Sequence, residues 1–409
     1  MKGRSNLVPL ELKASSEEMA MPLAIRPYAT AGVAIVGASL IAVTPVAAPL
    51  LSIHTVHDVA LAAGGSVGDL VDPWLQVFST TSDNFSTLTD SFLFAPAVAM
   101  QQFLANFTGY LQQIIDDPAN LTQATNDLQN DWQAAMSAIT LLNANQDTVD
   151  WVTHQTMDGS VTGGHTTMFG QIAGYLPPDQ ADSIMPIINF LGSPMGGVIM
   201  GSIGPWIAPW VALMNSISDG DSFGEIIASP LNGLLNGATL DLTSLTPAIN
   251  DLGLFPSPMA MTHLDIAFGG LLSPGGHVYA GPYNAVDDAN NVIGQVPAAG
   301  GSIFNSVGIT FSGVPVIGTL QLDSDAVGPL GAWLGMSQVI AAQLGWGSGW
   351  DGKSVASVPA LSPGSDIQWP TFPENWWNDY FPADDGAGSA VAGDVSGVLQ
   401  DFFGGWLGE

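Results

Sequence analysis

At 409 residues the chain has room for two domains or one large one with extensions. Hydrophobic residues make up 47% and charged residues only 10%, far below the roughly 25% charge usual in soluble proteins. The missing charge is almost all positive: past Arg26 the one basic residue is Lys353, whereas of 36 acidic residues only Glu11, Glu17 and Glu18 precede Tyr28. Such a chain repels nucleic acid and anionic headgroups and attracts cations. The absence of cysteine removes disulfides, thiolate metal sites and cysteine nucleophiles together.

The first segment reads as an export signal. Arg26 supplies a positive charge, and Ala29–Val43 (ATAGVAIVGASLIAV) is an apolar run of the right length. Val46-Ala47-Ala48 and Ala60-Leu61-Ala62 follow as candidate cleavage regions. An uncleaved N-terminal anchor is the alternative. Residues 1–20, with Lys2, Arg4 and Lys13, match nothing after them and are expected to be an over-extended start ahead of Met21. A leader over 21–62 is then expected, followed by a helical domain over 63–255.

Within that domain Asp83 to about Leu142 carries a helical period. Pro96 suits a first helical turn, and Phe103, Phe107, Leu111 and Ile114 recur at steps of three and four. Asp117-Pro118 is an N-cap followed by proline at the first helical position. Leu121, Ala124, Leu128, Trp132, Met136 and Ile139 then trace the expected inner face of a second helix. Gly159–Leu176 reads as loop and one short helix. Next comes Ser183–Ser218, which holds no charged residue between Asp182 and Asp219. So much uncharged surface must be buried in protein or lipid. Pro186, Pro194, Pro205 and Pro209, with five glycines, predict a hairpin cut into short pieces, each under the length of about 20 residues that spans a bilayer. Gly192-x-x-x-Gly196 and Gly197-x-x-x-Gly201 would let two backbones approach closely. The two readings are a buried hairpin at the centre of a domain and a membrane-embedded one packed by protein. Short helices are expected at Phe223–Leu235 and Leu242–Asp251.

After Phe255-Pro256-Ser257-Pro258 the texture changes, and a small α+β region is expected over 256–346. Leu264, Ile266 and Phe268 alternate, as do Ile309 with Phe311 and Val314 with Val316, with Ser312-Gly313 as the turn between. Thr319–Leu322 alternates too. A helix over Pro329–Leu344, with Leu330, Trp333, Leu334, Ser337 and Ile340 inward, is expected to cover this antiparallel sheet. Residues 347–409 form a tail rich in glycine, proline and acid, with an aromatic cluster from Trp369 to Phe381 and an amphipathic stretch from Val395 to Trp406. The fold class is α+β, predominantly helical.

No motif for catalysis, cofactor or metal emerges. Gly64-Gly65-Ser66-Val67-Gly68 has the spacing of a nucleophile elbow, but no strand-building sequence precedes it. His54, His57, His154, His165, His263 and His277 form no zinc spacing. Asp219–Glu225 hints at a calcium loop, yet Phe223 takes a ligand position and Ser229 and Pro230 stand where the closing glutamate belongs.

Several blocks together resemble the actinobacterial outer-membrane porin family of the GjpA type, found in mycobacteria and Gordonia. They are Arg26–Ala47, Ser193–Ile217 (SPMGGVIMGSIGPWIAPWVALMNSI), Asn236–Leu254, Leu264–Gly276, Gly300–Phe311 (GGSIFNSVGITF) and Val327–Trp346 (VGPLGAWLGMSQVIAAQLGW). The resemblance implies an exported envelope protein that forms a channel for small hydrophilic solutes or cations in the outer membrane, with lipid and further copies of itself as partners. It supplies no catalytic motif. A membrane β-barrel needs many alternating strands of about ten residues, and this sequence offers three or four, so any pore is expected to be an oligomer of mixed or helical subunits. The alternative is a secreted envelope protein that binds or scaffolds.

Overall fold

The structure, a computed structural model, describes residues 67–346 together with 370 and 371, apart from 160–163, 177–178, 180, 254, 277, 279–282, 287–291 and 297. The expected leader, the over-extended start, Ser66 and the aromatic tail beyond Thr371 lie outside the described residues. By contacts the chain divides into one unit of Ala62–Thr246 with Pro258–Glu409, and a second of Met1–Leu61 with Pro247–Ser257. The fold is α+β and mostly helical.

The first unit opens with α1 (Val67–Phe94), α2 (Val98–Asp116) and α3 (Leu121–Thr140). The turn between α2 and α3 forms where the sequence places it. Asp117 Oδ1 accepts from Ala119 N–H at 2.9 Å, and Pro118 begins a short 3-10 turn. Pro96 instead precedes the helix, and Ala97 holds a left-handed φ of 49° before α2 begins. The buried face of α3 is Ala124, Leu128, Ala135 and Ala138, while Trp132 and Met136, expected inside, are 49% and 41% exposed. Alanines bring the neighbouring helices too close for the larger side chains, which turn outward.

Helices α4 (Gln146–Thr156) and α5 (His165–Tyr175) follow. With α2, α3 and the C-terminal helix they enclose the main core of Val98, Leu141, Val152, Met157, Phe169 and Val339. The uncharged stretch is a helix pair, α6 (Ala181–Leu191) and α7 (Pro194–Asp219), joined at Gly192-Ser193. The expected breaks at Pro205 and Pro209 do not occur: α7 runs 26 residues without interruption. Each proline gives up one i→i−4 bond. The cost is offset by the packing of α7 on α8 (Phe223–Asn236), on the C-terminal helix and on the sheet. Both ends of α7 are capped. Ser193 Oγ accepts from Gly196 N–H at 3.1 Å, and Gly220 closes the C-terminus at φ 75°.

The sheet has the order β1-β2-β5-β6, all antiparallel, from β1 (Ala238–Asp241), β2 (Ala260–Phe268), β5 (Val307–Val314) and β6 (Gly318–Leu322). A separate hairpin is made by β3 (Tyr283–Val286) and β4 (Val292–Val296). Strand β1 was not expected. Its four residues, flanked by Gly237 and a 3-10 turn at Thr243–Leu245, are too few for a periodic signal. The expected turn at Ser312-Gly313 is a correction too. The strand runs through it, Gly313 forms a bulge at φ 69°, and the chain reverses at Pro315–Ile317, where Val316 is left-handed at φ 73°. The short helix α9 (Thr246–Asp251) follows β1.

The last helix, α10 (Pro329–Gln343), packs chiefly on α7, α2 and α3 rather than covering the sheet. Its buried face is Gly331, Ala332, Gly335, Met336, Gln338, Val339, Ala341 and Ala342. Leu330 and Trp333, expected inward, are 51% and 55% exposed.

Candidate functional site

Helix α7 has two unlike faces, and the difference is written in side-chain size. On one face glycines remove the Cβ where other backbones press in. A Cβ at Gly197 would lie 2.1 Å from Gly301 O, one at Gly204 2.2 Å from Gly269 O, and one at Gly201 2.7 Å from Gly328 O. Gly197 and Gly201 therefore seat loops from the sheet half, while Gly192 faces the side chains of Met157 and Phe169 and Gly196 faces the end of α6. The close helix approach lies further along, where Gly233 of α8 meets the Ala208 carbonyl.

On the opposite face Ile199, Ile203, Trp206, Trp210, Met214 and Ile217 are all exposed, Trp206 by 80%. At about 100° per residue these six fall within an arc of about 80°, and from Ile199 to Ile217 the stripe is about 27 Å long. No charge interrupts it. Among the described residues α7 is the one helix long and apolar enough to cross a membrane. Its glycine face is covered by protein, so lipid can reach only the stripe. The two tryptophans sit at the middle of the stripe, not at its ends. A helix standing across a bilayer places tryptophan near both interfaces. A helix lying in the interface brings the whole stripe, tryptophans included, to headgroup level. A second exposed apolar row runs along α1, through Val71, Leu75, Phe78, Phe85 and Phe92.

The polar clusters are structural ties. His165 is 1% exposed, with Nδ1 on Asp158 Oδ1, Nε2 donating to Val307 O at 2.6 Å, and the ring edge-on to Phe304. Asn305 Oδ1 accepts from Asp158 N–H, so the group fastens the α4–α5 link to the start of β5. His263 is more open: Nδ1 faces Thr243 Oγ1 at 2.7 Å and Nε2 faces Asp265 Oδ2 at 2.6 Å. The composition is that of a hydroxyl–imidazole–carboxylate chain, but Thr243 also receives a backbone role, its N–H donating to Asp241 Oδ1 at 2.7 Å. Hydrogen bonding from Thr243, its side chain first and its N–H second, with a smaller effect of His263, holds the Asp241 carboxyl below the usual carboxylate range. The cluster pins the 3-10 turn to β2. Tyr110 donates to Asp131 Oδ2 at 2.8 Å, and burial with that bond pushes its phenol upward.

The acidic turn after α7 is used for capping. Asp221 Oδ2 accepts from Ser216 Oγ, and Ser222 and Glu225 form a reciprocal capping box at the start of α8. The bonds to Ser222 hold the Glu225 carboxyl below its ordinary value. Among the described residues no group of three His, Asp or Glu is placed to hold a metal ion. Of the histidines, His54, His57 and His277 lie outside the described residues, and the structure does not bring His154, His165 and His263 together. Sequence reading missed the two-faced character of α7, because its exposed positions are as apolar as its buried ones. No family model matches this chain, and neither a curated protein nor a solved structure does.

Proposed function

We propose that this is an exported cell-envelope protein that docks on lipid through the exposed stripe of α7. The observation that carries the reading is that stripe: six large apolar side chains on one face, uncharged over about 27 Å. A patch of that size on a protein surface marks a contact site. The described residues contain no lysine or arginine, so attachment through this stripe draws on apolar burial alone, and anionic headgroups oppose it. Neutral phosphatidylcholine vesicles should therefore carry the full-length protein to the top of a density gradient. Vesicles with added phosphatidylserine should carry less of it at low salt and recover it in high salt, where the Debye length shortens. Protein that stays at the bottom with neutral vesicles refutes the reading.

A second reading adds conduction of cations or small hydrophilic solutes, and the acidic balance of the chain favours it. The described strands form an open four-stranded sheet and a hairpin, so a conducting path requires several copies. Carboxylates around such a path concentrate cations. Reversal potentials under a KCl gradient should lie toward the potassium value; an anion-selective channel, or no conductance, would remove this reading and leave docking untouched.

A further inference from the structure

A groove of about 410 Å³ runs between α1 and α10, and the start of α2 lines one end of it. Leu88 and Val98 lie buried at its floor. Its rims are Phe85 and Phe92 of α1 with Leu330 and Trp333 of α10, each about half exposed. From Phe85 to Phe92 the rim of α1 runs about 10 Å, or two helical turns. An apolar groove between two helices accepts the apolar face of a third, with anchors at i, i+3, i+4 and i+7. The chain itself carries such a face. Val395, Val398, Leu399, Phe402, Phe403 and Trp406, outside the described residues, recur at that spacing. Thr371, ahead of them, is fastened to α2: its N–H donates to Gln112 Oε1 at 2.8 Å, and its carbonyl accepts from Gln112 Nε2 at 3.3 Å. Along α2, Gln112 stands about 21 Å from Val98 at the groove.

We propose that the apolar face of Val395–Trp406 docks in the α1–α10 groove of its own chain. The tether is the right length. Residues 372–394 separate the anchor at Thr371 from Val395, and a coil of that length measures about 24–29 Å, close to the distance it must cover. A tether matched to its span gives the segment an effective concentration in the millimolar range, which favours it over the same segment of a second copy arriving from solution. Apolar burial carries the contact, since Asp394 and Asp401 of the segment have the same sign as Asp83 and Asp90 of α1. With the segment in place the groove is closed to outside chains, and its release offers them a site. The inference goes beyond docking through α7 and does not depend on it.

The absence of cysteine allows a direct test in the full-length protein. Thr89 is a half-buried lining residue of the groove, whereas Thr80 is exposed on the opposite face of α1, about 180° away. Thr89→Cys, paired in turn with Leu399→Cys and Phe402→Cys, should form a disulfide within one chain under mild oxidation. It should do so about tenfold faster than Thr80→Cys with the same partners, at a rate independent of protein concentration. Dye binding gives a second measurement. Leu399→Asp combined with Phe403→Asp should uncover the groove and raise the fluorescence of N-phenyl-1-naphthylamine above that with the native protein. Adding Thr89→Trp should return it to the native level. Equal rates at the two α1 positions overturn the proposal, and so do disulfides that form only between chains, the mark of a second copy. Faster linkage of Thr89→Cys to Trp377→Cys than to Leu399→Cys assigns the groove to the aromatic cluster and overturns it as well. Dye fluorescence that the double aspartate variant leaves unchanged, or a rise that Thr89→Trp leaves standing, has the same consequence.

Discussion

Trp206→Ala separates a lipid-facing helix from a core helix. Trp206 is 80% exposed, and a tryptophan side chain offers up to about 250 Å², so about 200 Å² faces solvent. A helix lying in the interface immerses about half of that, roughly 100 Å², which at about 25 cal/mol/Å² gives about 2.5 kcal/mol. The alanine methyl retains a little, leaving a loss of about 2 kcal/mol, or about 30-fold in the partition constant. Stability in solution should change by no more than about 0.5 kcal/mol, as for other surface substitutions. The assay is flotation of full-length protein over a series of phosphatidylcholine concentrations, with thermal melting of the same samples as control. Two results would refute the reasoning. One is native partitioning by a folded Trp206→Ala protein. The other is a drop in melting temperature as large as a core truncation gives, which would mean the indole is packed in the folded protein.

Two glycines that look alike in sequence should respond with opposite sign. Gly204→Ala puts a Cβ 2.2 Å from the Gly269 carbonyl and should cost about 1–3 kcal/mol in urea denaturation. Gly109→Ala, inside α2 with open space around it, should stabilise by about 0.5–1 kcal/mol. The Asp241 carboxyl is held below its ordinary value, so its contribution to stability is complete above the unfolded pKa of about 3.9 and is lost as pH falls through the lower folded value. Asp241→Asn should melt below the native protein at pH 7, and the two curves should converge below about pH 4; a gap constant with pH would exclude an ionic origin. Arginines at Val36 and Leu40 should keep the protein in the cytoplasm, each charge costing a few kcal/mol in an apolar segment, and fractionation that finds the variant exported normally would remove the signal reading.

The helical class and the α2–α3 turn were legible because they rest on local signals. Asp117-Pro118 acts on its own neighbours, and the alternation of Leu264, Ile266 and Phe268 needs only a sheet. What the sequence hid depends on distant partners. Pro205 and Pro209 carry a local penalty that predicts a break, and the packing that overrides it comes from α8, α10 and loops around Gly269, Gly301 and Gly328. Hydrophobicity alone points Trp132, Met136, Leu330 and Trp333 to the inner faces of α3 and α10, yet all four are exposed. Close helix packing selects small residues instead, and Ala138 and Ala341 are fully buried. The buried hydrogen bond from Gln338 to Ser91 has no sequence signature. It exists only because Ser91 and Gln338, on helices at opposite ends of the described chain, meet beside the groove.

The glycine face of α7 also sets an order of events during synthesis. Its seats at Gly269, Gly301 and Gly328 are translated after the helix itself, so although α8 can pack beside Ala208 early, the glycine face at Gly197, Gly201 and Gly204 stays open until about residue 330 has been made. Contacts so distant in sequence close slowly, since the loops between them must first be ordered. An apolar segment waiting that long attracts chaperones and neighbouring chains.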